Sequence, residues 1–164
     1  EKVLDYVNES ATDDKVVFDL FSGTGTIGQI VSKMTNTSNV YGIELVEEAV
    51  NKANENVRLN GLENCKFISG DVFTKLDEFD AEGIEPDVII LDPPRVGVGE
   101  KALTKILKYN VKNIVYVSCN PKSLAQDLRL LEMNGYAVEK VCCVDMFPQT
   151  PHVECVALIE RKKP

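Results

Sequence analysis

Short runs of β-branched and aliphatic residues alternate along the chain with segments whose apolar positions recur at helical spacing. That is the pattern of strands and helices in succession, and hence of a parallel sheet covered on both faces. Strands are predicted at Lys15 to Leu20, Asn39 to Ile43, Cys65 to Ile68, Pro86 to Leu91, Asn113 to Ser118, Tyr136 to Val144 and Val153 to Glu160. Within Val46 to Leu59, Ala49, Val50, Ala53 and Val57 form one helical stripe that stops at Asn60-Gly61, a helix-ending pair. Leu103, Ile106 and Leu107 make a second stripe. Ser123 to Asn134 supplies a third through Leu124, Leu128 and Leu131, with Gly135 just past its end. Residues 2–10 read as a leading helix with Val3, Leu4 and Val7 turned inward. Only Asp145 to His152, with Pro148 and Pro151, join the last two strands, too little for a crossover helix, so an antiparallel hairpin is predicted at one end of the sheet. No repeat or linker divides the 164 residues, and a single domain over 1–164 is expected.

Composition narrows the class without naming a function. With 44% apolar and 27% charged residues the chain is an ordinary globular one, neither disordered nor fibrous. Apolar runs such as Val88 to Leu91 fall far short of the roughly 20 residues that cross a bilayer. Glu1 to Ser10 has no signal-peptide pattern, so a cytoplasmic location is expected. Five irregularly spaced cysteines and a lone His152 suit neither a disulfide framework nor a zinc site; free thiols and no metal are expected. A net charge of −8 has the wrong sign for holding a polyanion. The charge is unevenly spread, however: residues 1–91 carry 7 Lys and Arg against 18 Asp and Glu, whereas residues 92–164 carry 11 against 8. Any RNA-facing side belongs to the second half.

Chemistry is concentrated after the strands. Asp19 to Gly28 follows the first strand and opens a helix, and Gly23, Gly25 and Gly28 fit G-x-G-x-x-G, the spacing of a nucleotide-binding turn. Glu44, ending the second strand, can accept hydrogen bonds from two ribose hydroxyls. A dinucleotide satisfies both features, but Asp19 would repel its pyrophosphate and would welcome the sulfonium and ammonium of S-adenosylmethionine. Asp71 follows the third strand, a position at which the class I methyltransferases, which these strand-end motifs resemble, contact adenine. Asp92-Pro93-Pro94-Arg95 closes the fourth, because two prolines cannot continue a ladder. It is similar to the D-P-P-[YF] motif of amine methylases, but Arg95 replaces the aromatic residue, which argues against an amine target. Ser118-Cys119-Asn120-Pro121 ends the fifth strand.

With Asp145-Met146-Phe147-Pro148 and His152-Val153-Glu154 added, the motifs stand in the order found in the uracil-5 RNA methyltransferases, the bacterial 23S ribosomal and transfer RNA 5-methyluridine synthases, which the chain resembles along its whole length. The resemblance implies a class I S-adenosylmethionine-dependent methyltransferase fold of the α/β, Rossmann-like kind: a mostly parallel seven-stranded sheet with an antiparallel last strand. It implies Cys119 as nucleophile and Glu154 as general base. Phe21, Thr26, Glu44, Asp71 and Asp92 become cofactor contacts beside Gly23 and Gly25. Arg95 would hold a phosphate or polarise a uracil carbonyl, and His152 would position a neighbour. The chemistry agrees, since carbon 5 of uracil is a poor nucleophile until a thiolate adds to carbon 6, and a base must then remove the carbon 5 proton. The other cysteines, Cys65, Cys142, Cys143 and Cys155, read as buried strand residues. An RNA substrate, ribosomal rather than transfer, and a monomer are expected. So is an N-terminal oligonucleotide-binding barrel and central region outside this chain, with little turnover by the chain alone. The rivals are an RNA cytosine-5 methyltransferase and a cofactor- or dinucleotide-binding domain without activity.

Overall fold

The computed structural model describes residues 1–10, 14–146 and 148–162. Along the chain run α1 (Lys2–Glu9), β1 (Lys15–Leu20), α2 (Thr26–Met34), β2 (Thr37–Glu44), α3 (Glu47–Leu59), β3 (Cys65–Ser69) and α4 (Val72–Ala81). They are followed by β4 (Val88–Leu91), α5 (Glu100–Lys108), β5 (Asn113–Ser118), α6 (Pro121–Met133), β6 (Tyr136–Val144) and β7 (Glu154–Arg161). The strands form one sheet in the order β3-β2-β1-β4-β5-β7-β6. All are parallel except β7, which runs antiparallel to both β5 and β6. The hairpin and the antiparallel last strand are therefore as the sequence predicts.

Alternation along the strands sorts the core onto two faces. Phe18, Leu20, Ile43, Ile89, Leu91, Ile114 and Tyr116 pack with Leu76 and Phe79 of α4, Leu103 and Ile106 of α5, and Leu124 and Leu131 of α6. Val17, Val40, Val88, Ile90, Val115 and Leu158 point the other way, toward Val7 of α1, Val31 of α2 and Val50, Ala53 and Val57 of α3. Both faces are dry, which is why β4 reads Val-Ile-Ile-Leu with no polar position at all.

Several boundaries differ from the sequence reading. β2 begins at Thr37, not Asn39, through a register irregularity against β1 at Lys15 and Val16, where polar residues hide the strand pattern. β4 begins at Val88, not Pro86, and α6 begins at Pro121 rather than Ser123, with Asn120 as its cap. Helix α4 is not foreseen, although Asp71 caps it and Val72, Leu76 and Phe79 recur at helical spacing on its buried side. Of the cysteines expected to be buried, Cys65 and Cys155 are, but Cys142 is only partly covered and Cys143 is exposed, because β6 lies at the sheet edge. All five thiols are free.

The topology gathers the functional residues. Because β1 to β5 are parallel, their carboxyl ends share one edge of the sheet, and the inverted β7 brings its amino end, Glu154, to the same edge. The strand order reverses between β1 and β4, the usual place for a crevice.

Candidate active site

On the β1–β2 side of the reversal, Phe21, Glu44, Leu45, Val46, Asp71, Val72, Phe73, Asp92 and Pro94 line a cleft of about 390 Å³. The Glu44 carboxylate is fixed at both oxygens, accepting the Gly23 amide at 2.9 Å and the Val46 amide at 2.9 Å, and each oxygen keeps a lone pair for a ligand. Phe21 holds a left-handed backbone, φ 65°, which costs a residue with a side chain about 1–3 kcal/mol and is the kind of strain that collects at binding sites. Asp71 caps α4 through the Phe73 and Thr74 amides, so one of its oxygens has a structural task.

The glycines divide by role. A Cβ on Gly23 would meet nothing within 4 Å, leaving room for a ligand, whereas one on Gly25 would stand 2.5 Å from the Phe67 ring and one on Gly28 2.8 Å from Asp19 Oδ2. Gly25 therefore serves packing more than open access to a ligand. Thr26 is exposed at the first turn of α2 and does not line the cleft.

Asp19 is fully buried. Its Oδ2 accepts the Gly28 amide at 2.9 Å, but Oδ1 has no partner among the described residues. Burial pushes the carboxyl up to about 7, with a further push from Asp92 and an opposing pull from the Gly28 bond. Asp92 is pushed up to about 6, by burial first and then by the Glu154 charge. Asp92 lines the cleft and is half-buried, and Asp19 lies fully buried behind it, so the cleft ends beside two acids in want of positive charge. Together with the tethered Glu44 and the apolar walls of Phe21, Val46 and Phe73, they fit a nucleoside that bears a cationic amino-acid tail.

On the other side of the reversal the three remaining motifs meet. Ser118 pairs with Cys155 across β5 and β7. Cys119 follows Ser118 just past the end of β5 and Glu154 precedes Cys155 at the start of β7, so both stand at the same edge of the sheet. Both residues are partly exposed. Asn120 caps α6 by accepting the Lys122 amide at 3.2 Å, its own amide and carbonyl are tied to the Ser118 hydroxyl, and its Nδ2 donates to the Arg95 carbonyl at 2.9 Å. The Arg95 guanidinium donates to His152 Nδ1 at 3.0 Å. Since a guanidinium only donates, Nδ1 is the bare nitrogen and the neutral ring carries its proton on Nε2. The D-P-P-R loop is thus bonded to the S-C-N-P turn and to the H-V-E segment. Phe147 of D-M-F-P lies outside the described residues.

Leu45, Val46, Phe73 and Pro94 of the cleft, and Tyr116 and Asp127 beside the loop after Arg95, were not singled out from the sequence. Val46 and Leu45 are 56% and 69% exposed, unusual for large apolar residues beside a carboxylate, and an exposed apolar pair directly after Glu44 is a signal that could have marked them. Two further clefts, between α4 and α5 and along α3, contain none of the motif residues. Among the described residues no cluster of His, Cys, Asp or Glu could hold a metal, and no helix is long and apolar enough to cross a membrane.

The sequence profile of a family described as tRNA (uracil-5-)-methyltransferase matches residues 1–162. An uncharacterized RNA methyltransferase of Clostridium tetani is 54% identical over 160 residues, covering 98% of this chain and 34% of the relative. The tRNA (uracil-54, C5)-methyltransferase of Pyrococcus abyssi, solved with S-adenosyl-L-homocysteine, aligns with a TM-score of 0.77 at 31% identity over 96% of this chain and 37% of its own. An rRNA methylase from Streptococcus thermophilus, at 14% identity and TM-score 0.73, shares the fold over 99% of this chain and 95% of its own. The chain spans about a third of the length of the curated relatives it matches.

Proposed function

Because the chain belongs to the tRNA (uracil-5-)-methyltransferase family and has the class I methyltransferase fold, we propose that it carries the catalytic site of an enzyme that methylates carbon 5 of uridine in RNA. The observation that carries this reading is the Ser118–Cys155 pairing, which brings the adjoining residues Cys119 and Glu154 to one edge of the sheet beside a cleft with an anchored carboxylate. S-adenosylmethionine, bound in that cleft, supplies an electrophilic methyl group. Glu44 would receive its ribose, Phe21, Val46 and Phe73 would cover its adenine, and Asp92, with the charge of the buried Asp19 behind it, would face its cationic end.

Cys119 performs the first step. Its thiolate forms a bond to carbon 6 of the uracil, and the displaced π electrons make carbon 5 nucleophilic through the enolate. Once carbon 5 has gained its methyl group, Glu154 takes the proton still held there, the carbon 5–carbon 6 double bond returns and the thiolate is expelled. The uridine must leave its stack to reach both groups. Arg95, braced by His152, faces the incoming nucleotide, where it holds a phosphate or a uracil carbonyl.

Nucleoside analysis of ribosomal and transfer RNA incubated with the whole protein and cofactor tests the reading. Ribosomal RNA is the first substrate to try, on resemblance; transfer RNA is the comparison, since the family description and the Pyrococcus enzyme both name it. 5-Methyluridine in either supports the proposal, and 5-methylcytidine in its place refutes it. Low turnover by residues 1–164 alone is expected, because the relatives are about three times longer.

A further inference from the structure

Asp127 lies on α6, is 3% exposed, and belongs to none of the motifs. Its carboxylate accepts three hydrogen bonds: from the Tyr116 hydroxyl at 2.6 Å, the Val98 amide at 2.7 Å and the Gly99 amide at 3.3 Å. The donors come from different elements. Tyr116 stands on β5 two residues before Ser118, and Val98 and Gly99 belong to the loop that leaves β4 through Asp92 and Arg95. A buried carboxylate is costly unless its lone pairs are filled, and here they are filled by groups that the active site must hold in register. The phenol of Tyr116 is held protonated, its pKa raised first by burial and then by its bond to Asp127.

The loop is shaped around this carboxylate. Gly97 has φ +87°, and a Cβ there would lie 2.6 Å from Asp127 Oδ2 and 3.2 Å from the Ser123 Cβ. Two helical turns upstream on the same helix, the cap residue Asn120 holds the Arg95 carbonyl. Asn120 and Asp127 thus grip the loop at both ends, and Arg95, at the first of the two grips, reaches across the site to His152.

We infer that Asp127, with Tyr116, is a positioning residue: it sets the loop that carries Arg95 against the strand that ends in Cys119. It touches no reacting group and acts through the Val98 and Gly99 amides. This rests on the proposed reaction at Cys119 and Glu154.

The test uses Asp127→Asn in the whole protein, which keeps the size of the side chain but turns an N–H toward one of the backbone donors. Misplacement of a reactive group by an ångström costs on the order of 100-fold, so a fall in kcat of about 10- to 100-fold is expected, with S-adenosylhomocysteine affinity within about twofold of the parent. Amide exchange at Val98 and Gly99 should quicken while β5 stays protected. On an Arg95→Ala background the same substitution should cost less than about twofold more, because the group it positions is already gone. A merely structural residue would lower activity equally on both backgrounds, and that result, or an unchanged kcat, overturns the inference. Tyr116→Phe, which removes one donor and leaves the ring, repeats the test should Asp127→Asn fail to fold. A parent protein that forms no 5-methyluridine overturns the assigned reaction, and this role with it, an outcome distinct from an active parent indifferent to Asp127.

Discussion

The two halves of the sheet edge are built differently. On the β1–β3 side most functional groups are held by amides near them in the chain, Glu44 by Val46, Asp71 by the first amides of the helix it caps and Asp19 by Gly28, with Glu44 to Gly23 the one bond that joins two elements. On the β4–β7 side the Asn120 turn is tied locally to Ser118, but the groups that meet across the site are held from distant stretches. Arg95 depends on Asn120 and His152, the loop after it on Asp127, and Cys119 and Glu154 share a sheet edge only because β7 is inverted beside β5. A binding cleft can thus be made from short-range motifs. A reaction centre that needs a nucleophile and a base from distant stretches is assembled by tertiary structure.

The sharpest way to separate the halves is to remove the thiol. Cys119→Ala should lower methyl transfer at least about 1,000-fold while cofactor affinity, read by calorimetry, stays within about threefold, because the thiol serves addition and not binding. No covalent RNA complex should form; an adduct in this variant would place the nucleophile on another cysteine.

Glu154→Gln comes next. Turnover should fall about 100- to 10,000-fold, and a methylated protein–RNA adduct should accumulate on a denaturing gel, since addition needs no base and elimination does. Ordinary turnover would move the base elsewhere.

The binding half should answer in affinity. A hydrogen bond to a charged group is worth about 1.5–3 kcal/mol, so Glu44→Ala should weaken the cofactor roughly 10- to 100-fold with kcat at saturation little changed. A collapse of kcat with intact binding would dissolve the contrast between the halves.

Acidity gives a smaller effect that spans both. Burial raises Asp19 to about 7 and Asp92 to about 6. The folded chain therefore holds protons that the unfolded chain has released above about 4. The stability from these groups is complete below that pH and is lost as pH rises through 6 and 7. A cationic cofactor prefers the ionised acids, so its binding should tighten a few-fold across the same window, and that of the uncharged-sulfur product less. Melting curves at pH 5 and 8 with each ligand measure it; equal pH dependence for the two would disconnect the acids from the sulfonium. Asp19→Asn should flatten the profile.

Least of all, Gly25→Ala and Gly23→Ala compare packing with open space. Gly25→Ala meets the Phe67 ring and a positive φ together and should cost about 2–3 kcal/mol, whereas Gly23→Ala should cost about 1 kcal/mol from φ alone and show itself mainly in cofactor affinity. Thermal denaturation of both variants is the measurement.

The same contrast explains what the sequence made legible. The Asp19 to Gly28 turn and Glu44 sit where strands end, so periodicity and glycine spacing find them, whereas Cys119 and Glu154 are marked by the resemblance to the uracil-5 RNA methyltransferases that their contiguous motifs carry. Asp127 escapes because a lone aspartate in Leu124-Ala125-Gln126-Asp127-Leu128 reads as a solvated helix position, and only the fold reveals Tyr116 and the Gly97 loop around it. Cys143 is misjudged for a related reason: its exposure follows from β7 entering between β5 and β6, a pairing no local pattern specifies. Helix α4 escapes the sequence reading although its cap and stripe are present, because Asp71 reads there as a ligand contact.

The insertion of β7 also sets an order in time. A ribosome releases β5 and its thiol before β7 exists, and β6, though made earlier than β7, joins the sheet only through it. Until β7 slides into place, β5 keeps a bare edge. On the proposed mechanism the nascent chain lacks the base that releases the product until its sheet has closed, so completion of folding and onset of turnover are one event.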